Sequence, residues 1–399
     1  MMRRNGPLLL VLFALAALLL VAHAGEPGAR ARDLHARALV FDAHCDTAMR
    51  ILDDRVDLGE RGEQGHIDIP RLREGGVDAQ VFALWPPPSS WPDRAAHRTL
   101  EMADAVLTQI ARHPDHLGLA LTVADAERIT REGRIAVFLG IEGGHAIEDS
   151  LALLRGFHRL GVRLMTLTWM NNTNWADGSG DEPEHHGLTD LGREVVREMN
   201  RLGMVIDVSH VSDETFYHVL ETTSRPVVAS HSCARAICDH HRNLSDEMLL
   251  ALKRNGGVIG INYFTGFLDK PTIDRMEQIW DGDDPVLTAL RERYKKDRSN
   301  PEYRRQRRAR FKELMRDVPP VTLDTLIDHI DHVVKIAGVA HVGLGSDFDG
   351  ISSLPVGLRH TGDLPRITEK LVARGYSDQD IEKILGGNLL RVFRAAIGK

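Results

Sequence analysis

The chain has 399 residues, of which 43% are hydrophobic and 27% are charged, and its formal net charge at pH 7 is −7. This composition is typical of a folded globular protein and excludes a disordered chain, a collagen-like repeat and a coiled coil. The negative net charge gives the chain no general electrostatic reason to bind nucleic acid or an anionic membrane, so we expect neither partner.

The N-terminal segment, residues 1–24, predicts a secretory signal peptide. Arg3 and Arg4 precede an apolar run over residues 7–21, and Ala-His-Ala then has the small-x-small pattern of a cleavage site. The apolar run is short for a membrane span, and this favours a cleaved signal peptide over the alternative, an uncleaved anchor. We therefore expect an exported protein, periplasmic or secreted, whose mature chain begins at residue 25.

The mature chain alternates short apolar runs with amphipathic helical stretches. The apolar runs cover residues 39–43, 79–84, 135–141, 164–168, 204–208, 227–230, 258–262 and 342–345. These runs are mostly continuous rather than alternating between apolar and polar residues. They therefore predict parallel strands that are covered by helices.

Eight strand-and-helix units predict an α/β protein, a (β/α)8 TIM-type barrel that forms a single domain over residues 25–399. An open doubly wound sheet is the alternative. Such a sheet usually carries a glycine-rich phosphate turn after its first strand, whereas His44-Cys45-Asp46 occupies that place here.

Residues 265–320 interrupt the alternation between the seventh and eighth predicted strands, and we expect them to form a helical insertion. Within this segment, residues 291–316 hold 12 lysines and arginines against four acids. A patch that binds anions or a membrane is one interpretation, and a solvated helical surface is the other. An acidic, exported chain favours the solvated surface.

Side chains of the types that bind metals stand at the ends of five predicted strands. They are His44, Asp46, Glu142, His210, His231 and Asp347. In a closed barrel the C-terminal ends of the strands meet at one mouth, where barrel enzymes carry out their chemistry. A single histidine at a strand end is usually structural, but three histidines and three carboxylates at one mouth form a ligand set for zinc or a similar transition metal.

The positions of the lysines restrict how two metal ions could be bridged. Every lysine lies at or after Lys253, so a carbamylated lysine from the first 252 residues is excluded. Glu142 can offer one oxygen to each of two ions, and the glycines Gly143 and Gly144 leave room beside it. We therefore expect Glu142 to be the bridge.

The chain contains three cysteines, Cys45, Cys233 and Cys238. This number excludes a disulfide scaffold, and the absence of a CxxC pair argues against a structural zinc site. Cys45 should point away from its two neighbouring ligands and pack in the core. Pairing of Cys233 with Cys238 stays open.

The motifs at the strand ends resemble those of the renal (membrane) dipeptidases, a family of zinc metallopeptidases, and the chain looks like an exported member of bacterial type. The matching motifs are Asp42-Ala43-His44-Cys45-Asp46, Ile141-Glu142-Gly143-Gly144-His145, Asp207-Val208-Ser209-His210-Val211-Ser212, Ser230-His231-Ser232, Arg242-Asn243 and Ser346-Asp347-Phe348-Asp349-Gly350. The resemblance extends over almost all of the mature chain and implies a barrel of the metal-dependent hydrolase type.

The resemblance also implies how the ligands are shared. His44 and Asp46 would bind one zinc ion, His210 and His231 would bind the other, and Glu142 would bridge the two ions of each chain. The family further implies a homodimer.

Four further positions take roles from the resemblance. Asp347 would bind substrate and handle protons, and Arg242 would receive the C-terminal carboxylate of a dipeptide, a role that suits the bidentate fork of a guanidinium group. Trp169 follows Thr-Leu-Thr where animal members have a histidine, and we expect it to line the substrate pocket. The family's tyrosine near the end of the seventh strand corresponds to Tyr263 or Phe264.

We therefore predict a binuclear zinc dipeptidase that hydrolyses free dipeptides by metal-activated hydroxide, with tolerance of D-residues at the C-terminal position implied by the family. Another binuclear barrel hydrolase, acting on N-acyl amino acids or lactones, is the first alternative, because fold does not determine substrate. An exported protein that only binds metal or peptide is the second. The C-terminal residues lack the hydrophobic tail of a GPI signal, so we expect no stable membrane anchor.

Overall fold

The structure is a computed structural model that describes residues 27–91, 93–282, 284–296 and 301–398. The predicted signal peptide lies outside these residues. The strands are β1 (Val40–Cys45), β2 (Val77–Leu84), β3 (Leu117–Leu119), β4 (Ile135–Glu142), β5 (Val162–Thr166), β6 (Val205–Asp207), β7 (Val228–Ser232), β8 (Val258–Ile261) and β9 (Val342–Leu344).

Eight of these strands form a closed parallel barrel. Neighbouring strands follow the order β2-β1-β9-β8-β7-β6-β5-β4, and pairing of residues 79–84 with residues 136–141 joins β2 to β4 and closes the ring. The prediction of a (β/α)8 barrel is confirmed, and each predicted strand corresponds to one barrel strand. The short β3 lies outside the ring and pairs with the first residues of β4. β3 is not among the strands predicted from the sequence.

Helices connect the strands and cover the barrel. They are α1 (Pro27–Arg37), α2 (Thr47–Asp53), α3 (Ile69–Glu74), α4 (Ala95–Arg112), α5 (Val123–Arg131), α6 (Leu151–Leu160), α7 (Asp190–Leu202), α8 (Asp213–Thr222), α9 (Asp246–Asn255), α10 (Thr265–Leu268), α11 (Lys270–Asp281), α12 (Pro285–Lys296), α13 (Pro301–Leu314), α14 (Leu323–Ile336), α15 (Pro365–Ala373), α16 (Asp378–Glu382) and α17 (Asn388–Ile397). None of the helices in the described part of the chain combines the length and the apolar character needed to cross a bilayer.

Local sequence signals set the ends of several helices. The hydroxyl groups of Ser212 and Ser245 accept backbone N–H bonds in the first turns of α8 and α9. Helices α7 and α9 end at Gly203 and Gly256, whose φ angles of 75° and 82° lie in the left-handed region that glycine adopts without strain. After these two glycines the chain enters the next parallel strands, β6 and β8, almost at once.

The N-terminal end of the barrel is filled by apolar side chains and closed by α17. Phe393 of α17 packs edge-on against Phe41 and Phe138, with ring centroids 4.9 and 5.0 Å away. Val205 and Val228, the first residues of their strands, belong to the same buried cluster. Because this end is sealed, polar groups at the opposite, C-terminal end are the ones that can face a ligand.

The predicted insertion is helical and comprises α10 to α13. Arg310 of α13 forms ion pairs with Asp284 and Glu313, at 2.6 and 2.8 Å. Part of the basic charge of the insertion is therefore neutralised within the insertion itself. Phe311 and Met315 contact the small buried cluster that contains Phe264, which attaches the insertion to the segment after β8.

All three cysteines are buried free thiols. The Cys233 sulfur lies 3.4 Å from the carbonyl oxygen of Asn262, and the Cys238 sulfur lies 3.5 Å from that of Gly266. The two thiols therefore have separate acceptors in this structure and are not paired with each other.

Candidate metal centre

The ligand-type side chains predicted at the strand ends converge at the C-terminal mouth of the barrel. His44 belongs to β1, Glu142 ends β4 and His231 belongs to β7, while Asp46, His210 and Asp347 follow their strands within a few residues. The exposed fraction of each of these residues is below 10%. The barrel closure thus brings together residues that are up to about 300 positions apart in the sequence.

Glu142 lies at the centre of this cluster. Its Oε1 atom is 2.9 Å from Nε2 of His210 and 3.5 Å from Nε2 of His231, while its Oε2 atom is 3.3 Å from Nε2 of His44. His44 Nε2 is in turn 3.5 Å from Oδ2 of Asp46. The two oxygens of one carboxylate therefore face different imidazoles, as a bridging ligand would require.

Two of the predicted site residues have a left-handed backbone. The φ angle is 70° at His210 and 58° at Asp347, a conformation that is uncommon for residues other than glycine and that concentrates at functional sites. The turn after Asp347 also needs a glycine at position 350, because a Cβ atom on Gly350 would overlap the carboxylates of Asp46 and Asp347. The backbone is thus arranged to bring both carboxylates close together.

One side of the cluster is rich in carboxylates, and we call His44, Asp46 and Asp347 the carboxylate half. Burial, together with the charge of Glu142, raises the pKa of Asp46 well above its ordinary value. Burial also raises the pKa of Asp347. Burial lowers the pKa of His44, but the negative charges of Glu142 and Asp46 outweigh it and hold that pKa well above its usual range.

The other side consists of His210 and His231, which we call the imidazole half. Burial and the positive charge of Arg242 lower the pKa of His210 to about 4. Burial and the charge of His44 lower the pKa of His231 well below its ordinary value. Both rings are therefore neutral near pH 7, the state in which an imidazole can donate a lone pair to a metal.

Several ligand-type residues have buried polar atoms that lack a hydrogen-bond partner and that a bound cation would satisfy. Both ring nitrogens of His44, Oδ1 of Asp46 and Nδ1 of His210 are buried without a hydrogen-bond partner among the described residues. Buried polar groups are normally hydrogen-bonded, so such atoms need another partner. Distances alone allow three ligand groups, which are Glu142 with His210 and His231, His44 with Asp46 and Asp347, and His44 with Asp207 and His231. The donor set of imidazoles and carboxylates fits zinc or a similar transition metal.

Arg242 places a buried positive charge beside the imidazole half. Its Nη2 atom donates to the carbonyl oxygen of His231 at 3.3 Å, and its guanidinium carbon lies 5.3 Å from the centre of the Phe267 ring. Burial lowers the pKa of Arg242 to about 10. Its Nε atom lacks a partner, and none of the ion pairs between described residues includes it. A buried charge of this kind is costly unless an anion completes it.

Aromatic side chains line the neighbouring part of the mouth. The ring of Trp169, half-buried after β5, lies 6.2 Å from that of His210 and 4.9 Å from that of Trp85. Tyr263 is fully buried and packs edge-on against Phe348, while Phe264 packs against Phe267. Which of the two residues after β8 contacts substrate stays a prediction.

Two polar residues outside the predicted ligand set, Asn262 and Asp349, hold parts of the mouth in place. Asn262 donates from Nδ2 to Oδ2 of Asp347 at 2.9 Å. Asp349 accepts hydrogen bonds from the Thr47 hydroxyl at 2.8 Å, from Arg50 at 3.1 Å and from the backbone of His66 at 2.7 Å. A polar residue that ends an apolar strand, as Asn262 does, is the signal that could have pointed to the first of these contacts.

Comparison with known proteins adds an independent finding. The family model described as membrane dipeptidase (Peptidase family M19) matches residues 28–397. Dipeptidase 3 of Mus musculus is 33% identical over 337 residues, which are 83% of this chain and 58% of that protein. The chain thus spans less than two thirds of the length of the curated relatives it matches.

Two solved structures are similar over nearly their whole length. The probable dipeptidase PvdM from Pseudomonas aeruginosa is 28% identical with a TM-score of 0.77, and the match covers 93% of this chain and 98% of that one. A metallo peptidase from Rhodobacter sphaeroides, liganded with a phosphinate mimic of the dipeptide L-Ala-D-Ala, is 25% identical with a TM-score of 0.73. That match covers 90% of this chain and 99% of that one.

Proposed function

The chain belongs to the membrane dipeptidase family, and from this premise we propose that it is an exported zinc metallopeptidase that hydrolyses free dipeptides. The observation that carries the proposal is the position of Glu142, whose two oxygens face His44 on one side and the two imidazoles His210 and His231 on the other. One carboxylate placed in this way suits two metal ions better than one.

The residues of the two halves would hold the ions. His44 and Asp46 would bind one zinc ion, His210 and His231 the other, and Glu142 both. When bound, zinc lowers the pKa of a water molecule towards neutrality and polarises the carbonyl group that the water attacks. The chain itself supplies the binding, the orientation and the transfer of the proton.

Arg242 binds and orients the substrate in this proposal. Its buried guanidinium lacks an anionic partner, and a carboxylate matches its fork with two parallel hydrogen bonds. Binding the C-terminal carboxylate there would restrict substrates to short peptides with a free C-terminus. The dipeptide mimic in the Rhodobacter sphaeroides neighbour supports this substrate class, and its D-alanine supports acceptance of a D-residue at the C-terminal position.

Asp347 moves the proton. Asn262 holds its Oδ2 atom, and the left-handed turn aims the carboxylate towards Asp46 and the metal ligands. Asp347 accepts a proton from the attacking water as the new C–O bond forms, and it donates that proton to the leaving amine nitrogen as the C–N bond breaks. The products are two free amino acids. Trp169 and Trp85 form a wall of the pocket beside His210.

The test is hydrolysis by the mature protein after chelator treatment, before and after zinc is restored. The panel contains Gly-L-Ala, Gly-D-Ala, an N-acetyl amino acid and a C-terminally amidated dipeptide. We expect zinc-dependent cleavage of the two free dipeptides and a zinc content of two ions per chain. Cleavage of the acetylated compound or the amide instead would overturn the role of Arg242 and favour another type of barrel hydrolase. A lack of cleavage with two zinc ions bound would overturn the proposed activity.

A further inference from the structure

We propose that Asp207 and Ser230 are positioning residues for the imidazole half: together they keep the ring proton of His231 on Nδ1, so that Nε2 is free to bind a cation. The inference rests on the proposed metal centre. It concerns how the chain prepares one ligand before any metal arrives, and it assigns a function to a buried carboxylate that the proposed mechanism does not use.

Asp207 ends β6 at the base of the site and is fully buried. Its Oδ1 atom accepts the backbone N–H groups of Ser209 and Ser230, both at 2.9 Å. Its Oδ2 atom accepts the hydroxyl groups of Thr166 and Ser230, both at 2.6 Å. Each carboxylate oxygen therefore already receives two hydrogen bonds.

These four hydrogen bonds distinguish between two roles for Asp207, binding a metal ion and orienting neighbouring residues. Its carboxylate is close enough to His44 and His231 to be a metal ligand with them. A carboxylate has about four lone-pair positions, however, and four donors use all of them. Asp207 is therefore placed to orient its neighbours rather than to bind the ion.

Ser230 connects Asp207 to the ring of His231. The Ser230 hydroxyl oxygen is 2.6 Å from Oδ2 of Asp207 and 2.7 Å from Nδ1 of His231. A serine has one hydroxyl proton, and a carboxylate can only accept, so this proton is donated to Asp207. The same oxygen must then accept a hydrogen bond from Nδ1–H of His231. A neutral ring with its proton on Nδ1 has its lone pair on Nε2, which lies 2.8 Å from Nε2 of His210 and 3.5 Å from Oε1 of Glu142. In the metal-free site this lone pair therefore accepts a hydrogen bond from His210, the other ring of the imidazole half.

The order of this relay distinguishes it from a nucleophilic triad. In a catalytic triad the histidine lies between the acid and the serine and activates the hydroxyl. Here the serine lies between the acid and the histidine, is fully buried and directs its proton at Asp207. The three residues therefore match the carboxylate-to-histidine support that orients metal ligands, with a hydroxyl group inserted.

The same carboxylate also ties down the backbone that carries both imidazoles. Asp207 holds the N–H groups of Ser209 and Ser230, the residues that directly precede His210 and His231. The Ser209 hydroxyl in turn accepts the N–H of His231 at 3.0 Å. One buried acid thus controls the position of two ligands and the proton of one.

The carboxylate half offers a matched control. Asp42 and Ser346 form a similar buried pair, in which Oδ2 of Asp42 accepts the Ser346 hydroxyl at 2.5 Å and Oδ1 accepts the Ser346 N–H at 2.8 Å. The Ser346 hydroxyl reaches the carbonyl oxygen of His44 at 3.2 Å and no ring nitrogen. Removal of either serine hydroxyl breaks an acid–serine bond between two strands, but only the loss of Ser230 frees an imidazole.

The first experiment measures zinc retention by the full-length mature protein during dialysis against graded concentrations of a chelator. We expect Ser230→Ala to weaken the binding of one of two zinc ions by about 10–100-fold, the usual effect of removing a residue that supports a metal-ligating histidine. Ser346→Ala should retain both ions at the wild-type chelator concentration, and Ser230→Thr, which keeps a hydroxyl group, should restore the affinity. Equal retention by Ser230→Ala and the wild type would overturn the proposal.

The second experiment determines which ring nitrogen of His231 carries the proton. In metal-stripped protein labelled with ¹⁵N-histidine, the imidazole nitrogen shifts report which nitrogen of His231 carries hydrogen, and circular dichroism checks that each variant is folded. We expect Nδ1–H in the wild type and in Ser346→Ala, and a population of Nε2–H in Ser230→Ala. An unchanged His231 spectrum in Ser230→Ala would overturn the proposal. Because this readout needs no substrate, a wild type that shows Nδ1–H but cleaves no dipeptide would overturn only the proposed function.

Discussion

In the two halves of the candidate metal centre, burial shifts the pKa values of the side chains in opposite directions. In the carboxylate half, burial raises the pKa values of Asp46 and Asp347 and favours their protonated forms. In the imidazole half, burial lowers the pKa values of His210 and His231 and keeps both rings neutral. Burial thus favours neutral imidazoles, which can bind a cation, and makes ionisation of the two carboxylates costly, a cost that a bound cation would offset.

Glu142 lies between the two halves and contacts imidazoles of both. Burial opposes its ionisation, but the charge of His44 and a hydrogen bond from His210 hold its pKa well below the ordinary value. Among Asp46, Glu142 and Asp347, Glu142 is therefore the carboxylate whose pKa the surroundings lower rather than raise. Removing the charge of Glu142 should weaken metal binding in both halves. Substitution of Asp347 should affect only proton transfer, and substitution of Arg242 only substrate binding.

The largest effect is expected for Glu142→Gln. The amide keeps the shape but removes the charge that both halves share, so we expect zinc content to fall below two ions per chain. Hydrolysis of Gly-D-Ala should fall by more than about 10⁴-fold, beyond the loss of a single proton-transfer group. Metal analysis and steady-state kinetics measure both quantities. Glu182→Gln, an exposed acid in the loop after β5, is the control and should match the wild type. Two firmly bound ions in Glu142→Gln would contradict the bridge.

Asp347→Asn should separate chemistry from metal binding within the carboxylate half. We expect both zinc ions to be retained and kcat to fall by about 10²–10⁴-fold, because an amide cannot carry the proton from the water to the leaving amine. Zinc content and kcat are measured on the same sample. Full activity with both ions bound would show that another group transfers the proton.

Arg242→Ala tests substrate binding beside the imidazole half. Loss of one partner of a buried charge pair costs roughly 2–5 kcal/mol, so kcat/KM for a free dipeptide should fall by about 30- to 5,000-fold, mainly through a higher KM. Arg242→Lys keeps the charge without the fork and should give an intermediate KM. Arg235→Ala is the matched control, because that guanidinium pairs with Asp213 at 2.6 Å. A kcat/KM that falls equally for free and amidated dipeptides would contradict the carboxylate contact.

His329 is a buried histidine outside the candidate metal centre, so it allows a test of whether burial alone keeps an imidazole neutral. Its Nδ1 accepts the N–H of Ala234 at 3.1 Å and its Nε2 donates to the carbonyl oxygen of Leu268 at 2.9 Å, while burial lowers its pKa to about 4. Above pH 6.5 the ring is neutral in both folded and unfolded chains and contributes no pH dependence. Between pH 6.5 and 4 only the unfolded chain binds the proton. The free energy of unfolding therefore decreases as the pH is lowered through this range, by about 3 kcal/mol in all.

The measurement is the free energy of unfolding at pH 7 and pH 4.5, in one buffer, for the wild type and His329→Gln. Glutamine can accept and donate one hydrogen bond but does not titrate. The variant should therefore lose less stability on acidification than the wild type does. An identical loss in both proteins would mean that the folded protein protonates His329 as readily as the unfolded chain.

Much of the fold was predictable because its signals are local. Continuous apolar runs and the helices between them identified all eight barrel strands, and the barrel followed from their number. The short β3 escaped prediction because a three-residue strand that pairs with one neighbour leaves almost no periodic pattern. The choice between Tyr263 and Phe264 stayed open because neighbouring residues of an extended segment point in opposite directions.

The sequence by itself determined which residue types stand at the strand ends, and therefore that histidines and carboxylates would meet at one mouth. Only the tertiary structure decided what each side chain does there. The four hydrogen bonds to Asp207 come from three separate strand ends, and the contact of Asp349 with His66 joins residues 283 positions apart. Whether a buried carboxylate binds an ion or orients its neighbours depends on how many donors already point at it. That number depends on the directions in which distant strand ends present their groups, which no local pattern specifies.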